Sequence, residues 1–572
     1  LIQRDVSGRD LKLLKKMPIY RQGKYRGGLI AEPMDRRKKP YGLLAFRTIG
    51  YERQGAQKVG LEGAFSNELR GQKGLQMMRK EGNHYIPLSD RYEQEPKNGY
   101  DLYTTIDVNI QDVAESELLK RLKELNAKGG CAILMEVETG YIKAIANLQR
   151  TEEGNYFESY NQAIGSSTEP GSTFKLPSLM VALEDGLIDL DDSVETGDGR
   201  YKFYDRTMRD SKHGGYGKLT VRDVFAKSSN VGVSKVINDH YAMNPDKFVN
   251  GLKRMGLSTP TGISIKGEGA PFIREVGSEG WSGTSLPWMS IGYEVLLTPL
   301  QILTFYNAIA NGGTMVRPQL VKEIRDGSEV VETFEPEVIL PMISSPGTIR
   351  KAQELLESVV EYGTGRKLQA AHFQIAGKTG TTQMSQGLSG YGKAAGEVKH
   401  QASFVGYFPA ESPKYACIVV ITAPKGSVYY GADVSGTVFR AIADKVYATS
   451  IQFHDPINDT RNNAVADLPN VKAGYRNDIE GFFKMMGWSF SGRGESDWVF
   501  ASTDRDKMVL ESIEVSGDQM PRVTGMSARD ALFLLENMGL IVDIHGSGRV
   551  VKQSIRQGER IEENMLVTLE LE

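Results

Sequence analysis

Three short clusters of hydroxyl, amine and amide side chains fall in one order along the chain: Ser172-Thr173-Phe174-Lys175, Ser228-Ser229-Asn230 and Lys378-Thr379-Gly380. A seryl hydroxyl is a poor nucleophile at neutral pH and needs an adjacent base, and a lysine can serve once its own proton is displaced. If Gly171-Ser172 opens a helix, a spacing of three puts Ser172 and Lys175 on one face, within reach of each other. The second cluster offers a hydroxyl to relay protons and an amide to hold a carbonyl. The third offers a cation, a hydroxyl and a glycine beside which another backbone can lie. These are the parts of acyl transfer through a seryl ester. Each cluster alone has a bland reading, with Lys175 a surface lysine and Lys378-Thr379-Gly380 an ordinary strand end. Their order and local context carry the argument.

Those contexts predict the elements that must position the three clusters. Glu169-Pro170-Gly171 breaks the chain, and Leu176, Leu179, Met180, Val181 and Leu183 follow at helical spacing. Ser172 is thereby expected at a helix N-terminus, where free backbone N–H groups can stabilise an oxyanion. Pro177 is awkward there, lying in the second turn. Thr220-Val221-Arg222-Asp223 reads as an acidic capping box opening a helix that ends near Ser228. Residues 373–382 read as a strand carrying the third cluster, with further strands at 402–408 and 415–422.

The chain has 572 residues, enough for three or more domains, with 40% hydrophobic and 25% charged residues. A formal net charge of −3 gives nucleic acid no purchase as a partner. Cys131 and Cys417 lie in apolar strand-like runs and read as buried thiols. Seven histidines, none in a nucleophile-elbow or metal-ligand spacing, give no support to a Ser-His-Asp hydrolase or a zinc enzyme. No metal and no cofactor is expected. No apolar run approaches the ~18 residues that span a membrane. The chain begins at Leu1 rather than Met, which suggests that an anchor or signal has been removed.

Residues 1–100 are irregular and basic, and Arg36-Arg37-Lys38-Lys39 reads as a solvated face, or else a contact for an anionic head group or glycan. Residues 102–107 alternate like a strand, and 109–122 has the pattern of an amphipathic helix. A hairpin joins 131–137 to 141–145 around Glu138-Thr139-Gly140. Thr298-Pro299-Leu300-Gln301 opens a helix that should stop at Asn311-Gly312-Gly313. Near the C-terminus, Leu468-Pro469-Asn470-Val471 recurs as Met520-Pro521-Arg522-Val523, an offset of 52 (521 − 469). Phe482-Phe483 and Met486-Gly487 recur as Leu534-Leu535 and Met538-Gly539 at the same offset, so two copies of a small α+β module are expected. The polar stretch 455–467 reads as their linker to the rest.

On these residues the chain resembles the class B penicillin-binding proteins, monofunctional cell-wall DD-transpeptidases, and most of all their division (septal) type. Arg47-Thr48-Ile49-Gly50 and Gly60-Leu61-Glu62-Gly63 are similar to the pedestal signatures of that class. Thr104-Thr105-Ile106-Asp107, residues 136–144, Thr298-Pro299-Leu300-Gln301 and Tyr429-Tyr430-Gly431 resemble further landmarks. The C-terminal copies resemble PASTA domains, the first being the more divergent. One departure is Gly292-Tyr293-Glu294, where the family has a Gly-Gln-Gly-like run.

The resemblance implies a multidomain α+β chain whose transpeptidase domain packs an antiparallel sheet with helices. The expected division is an N-terminal pedestal at 1–100, the transpeptidase domain at 101–450, a linker at 451–467 and PASTA-like repeats at 468–519 and 520–572. It implies that Ser172 attacks the penultimate D-Ala carbonyl of a stem pentapeptide, with Lys175 as base, lowered in pKa by desolvation and the Lys378 cation. Ser228 and Lys378 would pass the proton to the leaving amine, and Asn230 would hold the stem amide. Lys378, Thr379, Gly380, Thr381 and Thr382 would bind substrate, with Tyr429 and Tyr430 as walls. The backbone N–H groups of Ser172 and Thr381 would form the oxyanion hole. Implied partners are peptidoglycan stem peptides with their lipid-linked precursor, β-lactams, a membrane glycan polymerase and other division proteins. The implied location is the outer face of the bacterial inner membrane. A penicillin sensor, a β-lactamase and a DD-carboxypeptidase share the acylation step. The segment before residue 131 is too short for a glycosyltransferase.

Overall fold

The computed structural model describes residues 6–31, 37–52, 57–82, 84–87, 94–370, 372–384, 398–449, 468–469, 471–504 and 507–572. Residues 1–450 and 451–572 form two compact units. The expected linker at 451–467 lies outside the described residues, as does Arg36 of the basic run.

A six-stranded antiparallel sheet organises the first unit. Its spatial order is Ala376–Gln383, His400–Phe408, Tyr415–Thr422, Gly129–Glu136, Ile142–Arg150 and Tyr156–Phe157. The central strands read as unbroken apolar runs because both faces are covered. Val405, Tyr407, Ile418 and Val420 join the principal core, which also holds Leu300, Leu303 and Leu179. Phe404 and Phe408, pointing the other way, meet the ring of Phe439 at 4.7 and 5.9 Å on the helix Thr437–Thr449. The sheet is therefore the middle of three layers. The helix Pro299–Ala310 is buried along its whole length, and its capping box at Thr298 and Gln301 forms as expected.

The strand with the third cluster begins at Ala376, three residues later than expected, and forms the open edge of the sheet. The early strand is shorter than its pattern, Asp101–Thr104, and pairs with Val321–Asp326 in a separate sheet. The first long helix, Val108–Glu124, is capped by Asp107, whose side chain accepts from Asn109 N and Ile110 N. Both cysteines are buried free thiols.

The pedestal signatures dock against this unit. Arg47 N donates to Glu158 at 2.7 Å, and Leu61 joins the principal core. Arg37, from the basic run, pairs with Glu62 at 2.6 Å and donates to Gly50 O at 2.8 Å, so this charge ties the two signatures together.

In the second unit the helices Arg476–Met486 and Ala528–Asn537 start 52 residues apart (528 − 476), as the repeat requires. Strand Phe490–Arg493 runs parallel to Lys507–Ser512, which is antiparallel to Trp498–Asp504. The second copy repeats this pattern with Ile541–Gly546, Leu566–Leu571 and Val550–Gln553. The copies are not free-standing. Ala473 N donates to Gly525 O at 2.9 Å, and Ala473 and Ile513 share a core with Met520, Val523 and Met526.

Candidate active site

Ser172 lies in a 3-10 turn, Gly171–Phe174, that runs directly into the helix Lys175–Glu184. That 3-10 start accommodates Pro177. The proline falls in the first turn of the α-helix proper, where a missing N–H removes no internal bond. The Thr173 carbonyl, four residues before the proline, accepts from the Tyr306 hydroxyl at 2.8 Å. Gly171 has φ of +57°, and a Cβ there would lie 1.9 Å from Thr382 Oγ1. Only glycine fits a turn pressed this closely onto the edge strand.

The helix Val221–Ala226 begins at Thr220, whose hydroxyl accepts from Asp223 N at 3.1 Å. Ser228 follows with φ of +57°, and Ser229 caps the next helix, Asn230–Tyr241. This kink between two helices aims Ser228 and Asn230 at one point. There the Lys175 amine donates to Ser228 O at 2.7 Å, Ser228 Oγ at 3.1 Å and Asn230 Oδ1 at 2.7 Å.

Lys175 and Lys378 are both fully buried, so neither is a surface lysine. Burial pushes the Lys175 amine down to about 7, against a partial restoring pull from Asp210. Lys378 is pushed well down too, by burial first and then by the charge of Lys175. The repulsion between the two amines is mutual, so each disfavours the other's charge in addition to the effect of burial. Lys378 donates to Thr379 O at 3.1 Å and sits over the Phe225 ring, 5.4 Å from its centre.

Ser172, Ser228, Asn230, Thr379, Thr381, Tyr429 and Tyr430 line a cleft of about 880 Å³. Strand alternation separates the third cluster into two faces. Thr379 and Thr381 look into the cleft, whereas Lys378, Gly380 and Thr382 do not line it. Gly380 packs where a Cβ would lie 2.2 Å from Ser403 Oγ, and Thr382 backs Gly171. Both pack against the nucleophile turn or its neighbouring strand.

Other residues enter the site without a sequence signal of their own. Thr364 pairs its hydroxyl with Thr379 Oγ1 at 2.7 Å and donates its N–H to Ala226 O at 3.0 Å, linking the second and third clusters. His400 stacks on Tyr429 with ring centres 4.5 Å apart. In the departing run, Gly292 O accepts from Gly171 N at 3.1 Å. Glu294 has φ of +58°, held by its N–H on Glu169 at 3.1 Å and an ion pair with Arg274 at 2.8 Å. A residue with a side chain thus occupies a left-handed position that glycine would take more cheaply.

Comparison with known proteins agrees with this geometry. Residues 130–444 match the penicillin binding protein transpeptidase domain, and residues 518–572 match the PASTA domain. Stage V sporulation protein D of Bacillus subtilis is 27% identical over 593 residues, covering 99% of this chain and 79% of that protein. Peptidoglycan D,D-transpeptidase FtsI of Escherichia coli K12 is 29% identical over 429 residues, 74% of this chain and 68% of that protein. Among solved structures, the TP domain of Burkholderia pseudomallei penicillin-binding protein 3 is 28% identical with a TM-score of 0.52. It covers 62% of this chain and 98% of that one. The chain belongs to the penicillin-binding protein transpeptidase family, with a PASTA domain at its C-terminal end.

Proposed function

We propose that this protein is a peptidoglycan DD-transpeptidase that cross-links stem peptides through an ester on Ser172 during septal wall synthesis, and that β-lactams acylate the same serine. The observation that carries the reading is the Lys175 amine, dehydrated and held by three acceptors of the second cluster, one turn from a serine that opens on the cleft. An amine near 7 is poised to accept a proton at neutral pH.

In the proposed sequence the stem peptide lies along the open edge strand, with its terminal carboxylate at Thr379 and Thr381. That negative charge favours protonation of Lys378, which has no carboxylate partner among the described residues. Lys175 takes the proton from Ser172 as its Oγ bonds to the penultimate D-Ala carbonyl carbon. Backbone N–H groups of Ser172 and Thr381 hold the developing oxyanion, each contributing about 3 kcal/mol. Ser228 gives its hydroxyl proton to the departing D-Ala nitrogen and takes up the one held by Lys175, the C–N bond breaks, and the acyl group remains on Ser172. An acceptor amine from a neighbouring stem then attacks the ester and regenerates the serine. Asn230 holds the stem amide, and Tyr429 and Tyr430 wall the donor strand.

The proposal includes the outer face of the cytoplasmic membrane as the place of action, and a membrane glycan polymerase and other division proteins as partners. The domain limits 1–100, 101–450, 468–519 and 520–572 are part of the same proposal.

Intact mass after incubation with benzylpenicillin tests it. One stable adduct is expected, mapped to Ser172 and absent from Ser172→Ala protein. An adduct that persists in that variant sinks the assignment, and rapid hydrolysis of nitrocefin would favour a β-lactamase.

A further inference from the structure

Asp210 stands directly after the hairpin formed by Arg200–Phe203 and Arg206–Arg209, 18 residues before the second cluster (228 − 210) and outside all three. Its carboxylate receives the Ser229 hydroxyl at 3.0 and 2.8 Å and the Val231 N–H at 3.0 Å. The neighbouring Arg209 carbonyl receives Asn230 Nδ2 at 2.8 Å. This pair of residues therefore grips the second cluster at three consecutive positions. The grip has a direction. With Nδ2 pinned on Arg209, Asn230 must turn Oδ1 inward, where it accepts from Lys175 at 2.7 Å. Ser229, wholly buried, accepts from Gly232 N at 2.9 Å while donating to Asp210, so its hydroxyl is used on both sides.

We infer that Asp210 is a positioning residue for the transpeptidase reaction: by holding Ser229 and Val231 it sets Ser228 and Asn230 around the Lys175 amine. The inference rests on the reading of Lys175 as the base. Other charged groups near the amine do different work. Lys378, from the edge strand, shares its buried surroundings and repels it. Lys227 turns to Asp223 at 3.7 Å. Tyr216 stays a neutral phenol, its pKa raised by burial and then by Asp210 itself. Among the charged groups of the described residues, Asp210 is the one that opposes the desolvation of Lys175. Removing its charge while keeping its shape should let the amine shed its proton at lower pH, and should make it a weaker base.

The test is the second-order rate of benzylpenicillin acylation of the full chain from pH 5.5 to 9. Asp210→Asn should move the acid limb toward lower pH by about half a unit or more, with a plateau several-fold below wild type. Ser229→Ala keeps the charge and cuts the hydroxyl link, so its limb should stay in place while its plateau falls. Asp210→Glu should return the limb to the wild-type position. A limb that stays put in Asp210→Asn, whatever its height, overturns the inference, as does a wild-type plateau in Ser229→Ala. Should Asp210→Asn fail to fold, Asp210→Glu carries the test through its plateau, expected several-fold low because the carboxylate is displaced; a wild-type plateau overturns the inference. Lys175→Ala separates this failure from that of the parent reading. Near-normal acylation there removes the base assignment itself, whereas a dead Lys175→Ala with an unmoved Asp210→Asn limb removes only the role of Asp210.

Discussion

Both units have an apolar core, and they differ in what is buried beside it. In the first, two lysine amines are sealed beside the nucleophile turn, together with buried Thr173, Ser229 and Thr379. In the second, among the described residues, no polar or charged side chain is buried, and its cores are built from residues such as Phe483, Val499, Leu535 and Val567. Taking an ammonium out of water is costly, so a fold selected only for stability leaves its lysines outside. The second unit shows that ordinary solution. The first departs from it for lysine at Lys175 and Lys378, beside the turn that opens on the cleft, and it also buries other polar groups such as Gln111 and Glu158.

The largest effect should come from the departure itself. Ser172→Ala should abolish acylation, and Lys175→Ala should lower it on the order of 10⁴-fold, because nucleophile and base act as a unit and their losses do not add. Stopped-flow or gel-based acylation rates check this. A Lys175→Ala protein within tenfold of wild type would mean that burial of the amine serves something other than catalysis.

Next is the pH dependence. The neutral Lys175 is the reactive form and the amine titrates at about 7, so acylation should rise through neutral pH and level off on the alkaline side. Stability follows with a definite sign. The folded-state value lies below the ordinary 10.5, so the unfolded chain holds the proton where the folded chain does not. The penalty is fully present below about 7 and is relieved as pH rises toward 10.5. The melting temperature of wild type relative to Lys175→Met should therefore climb between pH 7 and pH 10. A constant difference across that range would place the amine in water.

Thr379→Val should do less. It removes one hydrogen bond to the substrate carboxylate and the tie to Thr364, and leaves Lys175 and Ser172 in place. A loss of roughly 10- to 100-fold is expected, mostly in binding. A loss as large as that of Lys175→Ala would mean that Thr379 holds the machinery rather than the ligand.

What the sequence made legible was what local rules govern. The three clusters, the caps at Thr220 and Thr298 and the 52-residue repeat all depend on neighbours within a few residues, and all appear where their patterns put them. Contacts between distant segments were not legible. Tyr306 meets Thr173 across 133 residues and so removes the difficulty at Pro177, which looked like a flaw in isolation. Thr364 and Asp210 carry no pattern and reach the site only because the helix Pro346–Glu361 and a hairpin deliver them. The same gap holds at Thr382. Strand alternation puts its side chain behind the cleft, but only the packed turn at Gly171 shows what it touches there.

The smallest effect should come from removing the second unit. A chain cut after Ile457 loses the duplicated module and keeps the whole sheet, both lysines and the helix Thr437–Thr449. Each unit has its own hydrophobic core, so the first should fold and melt cooperatively without the second. The β-lactam acylation rate of the truncated protein should stay within a few-fold of the full chain, while binding to cell-wall material or division proteins changes. Within the second unit the outcome should be harsher. Cutting between its copies, after residue 519, strips Ala473 and Ile513 of the core they share with Met520 and Met526, so the first copy left behind should lose its own cooperative transition. Acylation kinetics and thermal melts of the three chains decide the matter. A large loss of acylation in a chain that ends at Ile457 and still melts cooperatively would show that the apolar unit helps build the polar site, and the contrast between the two units would no longer separate stability from chemistry.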